Sequence, residues 1–308
     1  MTTTAPEAIA PTAAKPVRTT PARKRRAGRS TPLTIAMLAA LAYFLLPLFW
    51  LLIASTKSTQ DLFNSFGLWF SHTPQLLTNV KDTFTQDDGV FVRWLLNTAL
   101  YAGVSAVGAA LLAAAGGYGF AKFRFRGDRF AFNLVLGAVM VPATALAIPT
   151  YLLFAKAGLV NTPWAVILPS LVNPFGLYLM RIYAADAVPD SLLEAARIDG
   201  AGEARIFFRI ALRLLAPGLV TVLLFTLVAT WNNYFLPLIM LNDTDLYPIT
   251  VGLSSWAAQA QNGGGGASTD MFALVVTGSL ISIVPLVVAF LVLQRYWQSG
   301  LAAGGVKQ

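Results

Sequence analysis

Six apolar runs separated by polar connections constrain this chain more than any other feature. The first, Leu33 to Ala54, has about 22 residues and no charge. At about 1.5 Å per residue it reaches roughly 33 Å, against a hydrocarbon core of about 30 Å. A secretory signal has an apolar region of only about 7–15 residues, so an uncleaved membrane helix is expected. The others run from about Trp94 to Phe120, Phe130 to Phe154, Trp164 to Tyr183, Pro217 to Leu241 and Met271 to Leu293. Inside a bilayer each backbone polar group needs a partner within the protein, and a helix supplies it. The expected fold is therefore an all-α membrane protein with six transmembrane helices. Only 12% of the 308 residues are charged, half of the roughly 25% usual for soluble domains. The length would allow two soluble domains, but a single helical bundle uses it equally well.

Sidedness follows from the basic residues. Seven Lys and Arg precede residue 32, four lie between 122 and 129, five between 181 and 213, and two after 293, which is 18 of the 22 in the chain. With six spans these four segments share one side, and the positive-inside rule makes that side the cytoplasm. Both termini are then cytoplasmic. Residues 1–31, rich in Thr, Ala and Pro, read as a disordered basic tail; residues 32–294 form the membrane domain, with a polar loop at 186–216; and 295–308 form a short cytoplasmic tail. The net charge of +8 is explained by anionic lipid beside these segments rather than by nucleic acid.

Several chemistries are excluded or weakened. The chain has no cysteine and one histidine, His72 in a polar connection, so thiolate sites, His-pair metal sites and His-based triads are ruled out. Gly263 to Gly266 is followed by Ala267-Ser268 without a lysine, so the chain lacks a phosphate-binding loop for ATP. The spans carry almost no ionisable residue, which argues against ion or proton coupling. Within them, Gly103, Gly108, Gly116, Gly117 and Gly119 suit close helix approach in the second span. Pro142 and Pro149 predict a kink or unwinding in the third. Residues 57–93 read as a loop with a short surface helix, and 242–270 as a polar, flexible external connection.

The polar loop holds five acids (Asp186, Asp190, Glu194, Asp199, Glu203) and five arginines between 181 and 213. Ile206, Phe207, Ile210 and Leu214 recur at helical spacing beside Arg205, Arg209 and Arg213, the pattern of a helix resting on headgroups. Residues 190–199 read differently. Asp190 or Ser191 caps a helix start with Glu194 in its first turn, Ala195 and Ala196 remove bulk from one face, and Gly200 and Gly202 end the helix. This is a short docking helix that fits a cleft on another protein, with Glu194 placed to pair with a basic residue there.

At these residues a family resemblance appears. Glu194-Ala195-Ala196 followed by Asp199-Gly200-Ala201, all after Pro189, resembles the EAA motif of ABC-transporter permeases of the carbohydrate type. Asn97-Thr98, Met140-Val141-Pro142, Ile148-Pro149 with Tyr151, Trp231-Asn232, Gln294-Arg295-Tyr296 and Gly304 with Lys307 agree with it. The C-terminal signature is similar to that of the smaller permease in maltose-type importers, and the resemblance covers residues 33–308. It implies a type I ABC importer fold in the cell membrane. The implied partners are a second permease, two ABC ATPase subunits and an extracytoplasmic solute-binding protein. ATP and Mg are held by the ATPases, no cofactor by this chain, and the chain itself is not an enzyme. Glu194, Ala195, Ala196, Asp199, Gly200 and Ala201 would then couple to the ATPase. Thr226, Thr230, Trp231, Asn232, Asn233 and Tyr234 of the fifth span either line a carbohydrate path or bond neighbouring helices. The 242–270 connection would meet the binding protein or serve as a plain linker. One departure stands out: Ile210-Ala211-Leu212 is followed by Arg213 where the family has proline, so the cytoplasmic helix is expected to run about one turn further. The alternative is a secondary carrier of a small neutral solute working without an ATPase.

Overall fold

The computed structural model describes residues 31–262 and 271–304. The expected disorder of residues 1–30, the glycine run at 263–266 and the C-terminal Lys307 lie outside them. Every regular element among the described residues is helical. The chain divides into two compact units after Pro47. Of the first, the described part is the beginning of helix α1 (Thr31–Ser55), which carries no charged residue and contains Pro47. The second unit comprises all that follows.

Four segments are long and apolar enough to cross a membrane: Thr31–Ser55, Leu76–Lys122, Trp164–Ala187 and Met271–Gln294. A fifth is a pair of helices, Glu203–Leu214 and Ala216–Trp231, bent by 79° at their junction. The third expected span is instead two short helices, α5 (Asp128–Ala138) and α6 (Ala147–Lys156), with unwound backbone between them. Pro142 explains the gap, because it lacks an N–H and pushes the preceding residue out of helical geometry. Pro149 falls in the first turn of α6, where no N–H needs an intrahelical partner.

Two further connections differ from the sequence reading. Residues 57–93 hold two helices, α2 (Thr59–Asn64) and α3 (Leu76–Thr85), and α4 (Val90–Lys122) starts four residues early. The connection at 242–270, expected to be flexible, contains a 14-residue helix, α13 (Ile249–Asn262). Its Trp256 is fully buried against Phe91 and Trp94, and the Trp256 Nε1–H donates to Asp87 Oδ2 at 3.0 Å. Ser254, Ser255, Gln259 and Gln261 gave the segment its polar composition. Ile249, Leu253 and Trp256, spaced four and three apart, carry a buried stripe that composition does not show.

Helix α4 is the centre of the second unit. It packs along α8 (Pro174–Ala187) and the helix Ala216–Trp231. Small residues permit the approach, as expected for membrane helices. A Cβ on Gly117 would fall 2.6 Å from Met180 Cβ and 2.7 Å from the Arg181 backbone nitrogen. One on Gly176 would meet Val222 at 2.8 Å. Not every glycine of α4 serves this purpose, since Gly103 and Gly119 face open space. Gly117→Val is therefore expected to lower the thermal stability of the detergent-purified protein by about 1–3 kcal/mol, the usual cost of overpacking. Gly119→Ala, with open space at its Cβ position, should not lower it, and a melting curve of each variant compares them.

Candidate functional site

The polar loop forms two helices around a glycine turn. The first, α9, spans Asp190–Ile198, with Pro189 as its N-cap and no side-chain cap bond. Asp190, expected to cap, is instead the first helical residue, and its Oδ1 accepts from Lys122 Nζ at the end of α4, 2.8 Å away. Glu194 accordingly lies in the second turn. The helix ends in a Schellman turn: Ala201 N–H donates to Ala196 O at 2.9 Å and Gly200 N–H to Arg197 O at 3.0 Å. Gly200 takes φ +80°, the left-handed position this motif requires. Across the turn Arg197 Nε donates to Glu203 Oε1 at 2.7 Å. The Lys122 hydrogen bond holds the Asp190 carboxyl below its ordinary range, and that of Arg197 does the same for Glu203. Both pairs are fully formed above that range and are lost only as pH falls through the lowered values.

The two alanines of the motif differ in burial. Ala196 and Leu193 are buried, whereas Glu194, Ala195 and Asp199 are exposed. Leu193 and Ala196 join one continuous core with Ala110, Ala114 and Tyr118 of α4, Met180 and Ala184 of α8, and Val222. The loop is thus tied into the spans by packing. Its free face carries a residue the sequence reading missed, Ile198, which is 86% exposed. The available signal was an isoleucine set between Arg197 and Asp199.

The second helix of the loop, α10 (Glu203–Leu214), was expected to rest on headgroups. Ile206 and Ala211, with Leu215 at the bend beyond, are instead fully buried in the same protein core. Helical periodicity reveals an apolar face without saying whether lipid or protein covers it. A π turn at Phe207–Ala211 interrupts this helix, and Phe207 lies against the Tyr118 ring with centroids 5.4 Å apart. The helix continues through Arg213 to Leu214, and the chain turns at Leu215 into α11 (Ala216–Trp231).

A cleft of about 820 Å³ lies between interrupted helices. Its wall includes Val141, Ala143 and Leu146 of the gap between α5 and α6, and Val172 and Asn173 between α7 (Trp164–Leu171) and α8. It also includes Asn233 between α11 and α12 (Phe235–Met240). Three breaks in helical backbone meet at one cavity, the setting in which non-helical backbone is tolerated at membrane depth. The polar wall is Thr150, Ser170, Asn173, Thr226, Thr230 and Asn233, and no ionisable side chain contributes. Asn173 caps α8 through Gly176 N–H at 2.8 Å and donates to Thr226 Oγ1 at 2.8 Å.

Of the fifth-span residues singled out from sequence, Thr226, Thr230 and Asn233 line this cleft. The other three are engaged elsewhere. Trp231 Nε1–H donates to Ser282 O at 3.2 Å, Asn232 Nδ2 to Val228 O at 2.9 Å, and the Tyr234 hydroxyl pairs with Ser254 Oγ at 3.1 Å. Asn173 was missed, although Asn before Pro in an apolar run is a local signal for a break.

Broken helices around an uncharged cleft, joined by packing to an exposed charged loop, define a membrane transport component. Residues 106–301 match the family of the binding-protein-dependent transport system inner membrane component. Similar proteins include the arabinooligosaccharides transport system permease protein AraQ of Halalkalibacterium halodurans, 36% identical, with 88% of this chain and 94% of that one covered. The lactose transport system permease protein LacG of Rhizobium radiobacter is 31% identical over 89% of this chain and 94% of its own. A crystal structure of a bacterial ABC transporter involved in the import of the acidic polysaccharide alginate contains a chain of the same fold, with a TM-score of 0.73 and 23% identity over 88% of this chain and 98% of that one. The chain belongs to the family of binding-protein-dependent transport system inner membrane components, and its fold is that of a type I ABC importer permease.

The loop's rigidity rests on its buried side and its turn. Leu193→Ala is expected to cost about 2–5 kcal/mol as a core truncation, and Gly200→Val about 1–2 kcal/mol for a β-carbon in left-handed backbone. Gly202→Ala, at φ −71° and facing open space, should be neutral. Thermal unfolding in detergent ranks the three.

Proposed function

We propose that this chain is one of two permease subunits of an ATP-driven sugar importer in the cell membrane, and that α9 is its contact with a separate ABC ATPase. In this reading it spans the bilayer six times with both termini cytoplasmic, the interrupted pair α5 and α6 counting as the third span. The concentration of Lys and Arg on the side of α9 supports that orientation. The observation that carries the coupling role is the shared core of α9, α8 and α11. The same α8 and α11 wall the cleft, so a displacement imposed on α9 reaches the cleft through packed side chains. Glu194, Ala195, Ile198 and Asp199 form the free face for the ATPase, while Ala196, Gly200 and Ala201 fix its shape. ATP and Mg are bound by the ATPase pair, whose closure on nucleotide biases a two-state permease. A solute-binding protein delivers the substrate on the opposite side.

The cleft supports a neutral carbohydrate. Hydroxyl and amide groups from Asn173, Thr230 and Asn233 supply hydrogen bonds, and Phe175, Phe225 and Phe235 supply flat apolar faces. Membership of a binding-protein-dependent family weighs against the carrier alternative. Affinity purification of the tagged chain from its native membrane should recover a second permease and an ABC ATPase, and recovery of a transport-competent homo-oligomer alone would refute the proposal. In the reconstituted complex, Glu194→Lys and Ile198→Asp should each reduce transport at least about tenfold, equivalent to about 1.4 kcal/mol, with the permease still inserted. Asn233→Ala should raise the transport KM, whereas Tyr234→Phe should not, which separates residues on the cleft from those bonded to neighbouring helices.

A further inference from the structure

Outside the loop and the cleft, a group of exposed aromatic rings lies just after α1. Phe63, Phe66, Trp69 and Phe70 are all exposed, Phe66 at 73% and Trp69 at 66%. Residues 62–71 carry no charge. A segment leading away from a span into water has no reason to present four bare rings, and its backbone course shows that it does not lead away. Gly67 lies against Trp50, with its Cβ position 3.6 Å from Trp50 Nε1. Trp50 is five residues inside the end of α1 at Ser55, which is about 7–8 Å along a helix. The chain therefore folds back beside the end of the span.

The fold-back is held by a buried cation. Lys57, the first charged residue after α1, is 1% exposed. Its Nζ donates to Ser65 Oγ at 2.8 Å and to Phe66 O at 2.7 Å. Asn79 Nδ2 donates to the Ser55 and Lys57 carbonyls, 2.9 Å each, closing the helix end. On the other flank Phe63 meets Phe272, in the first turn of α14 (Met271–Gly304), edge to face at 5.3 Å. The rings thus sit level with the ends of two apolar helices and slightly inside one of them.

We infer that residues 63–70 form an interfacial anchor whose aromatic side chains enter the headgroup–acyl boundary of the leaflet at the C-terminal end of α1. Amphipathic aromatic rings favour that depth, and interfacial segments bury their apolar face about 5–10 Å below it, which matches the fold-back along α1. The absence of charge on the segment fits a lipid boundary better than a polar protein rim. Lys57 acts from beneath, converting a polar turn into a rigid support that directs the rings toward lipid.

The absence of cysteine in the chain permits a direct test. Phe66→Cys, Trp69→Cys and, as a water-exposed reference on α3, Lys81→Cys are spin-labelled singly in the complete transporter, its partner subunits freed of cysteine, in phosphatidylcholine vesicles. Labels at 66 and 69 should collide severalfold more with oxygen, which partitions into lipid, than with a water-soluble nickel chelate. The label at 81 should show the reverse. Preference for the nickel chelate at 66 and 69 would place the rings in water and overturn the anchor. Protection from both reagents would mean that a protein partner covers them and would overturn it equally. In a Lys57→Met background the label at 69 should shift toward the nickel chelate, and an unchanged ratio would remove the lysine from the mechanism.

Discussion

The close approach of α4 to α8 is the constraint on which the rest depends. Gly117 has no room for even a methyl group because Met180 and the Arg181 backbone occupy the space. Contact at this distance brings Ala110, Ala114 and Tyr118 onto Met180 and Ala184, and the same core accepts Leu193 and Ala196 from α9. Lipid tails are as apolar as leucine, so membrane helices gain little from burial alone and rely on tight fit. A loop anchored in such a fit moves with the helices it touches. The coupling proposed for this short, exposed, charged segment rests on that shared packing.

That cleft depends on a second constraint. Unwound backbone in a membrane needs partners, and here the breaks at 139–146, 172–173 and 232–234 share one cavity. Asn173 illustrates how the cost is met, since its side chain satisfies the Gly176 N–H at the start of α8 and also bonds Thr226 on a neighbouring helix. The wall that results is mainly apolar, with a few polar side chains and no ionisable one. The aromatic fold-back after α1 solves a related problem at the membrane boundary, where Lys57 is buried with two acceptors and the rings are left outside.

Much of this was legible in the sequence where the cause is local. Pro142 removes an N–H and favours a break at its position, although Pro47 is accommodated within α1. Gly200 before Ala201 ends α9 because the turn needs a left-handed residue. The segregation of arginines and lysines supplies the expected sidedness on which the proposed orientation rests. The errors share a different cause. Ala195 and Ala196 are adjacent and chemically identical, yet one is buried and one exposed, because the direction of the α9 face is set by α4 and α8. Ile206 and Trp256 lie on faces that the pattern marks as apolar or overlooks, and only the neighbouring helices decide what covers them. Trp231 and Tyr234 are polar-tipped residues of the fifth span like Thr230, but their partners, Ser282 and Ser254, come from 51 and 20 residues away.

Sequence by itself determined that the chain is helical and membrane-embedded, where its charged loop lies, and the family to which that loop's residues point. These follow from hydropathy, proline and glycine geometry, and a short motif, all properties of neighbours along the chain. Tertiary structure alone decided that the loop shares a core with the spans, that three helix breaks meet at one cleft, and which fifth-span residues face it. Each of these depends on how helices rotate about their own axes when they pack, and that rotation is set by side chains distant in sequence.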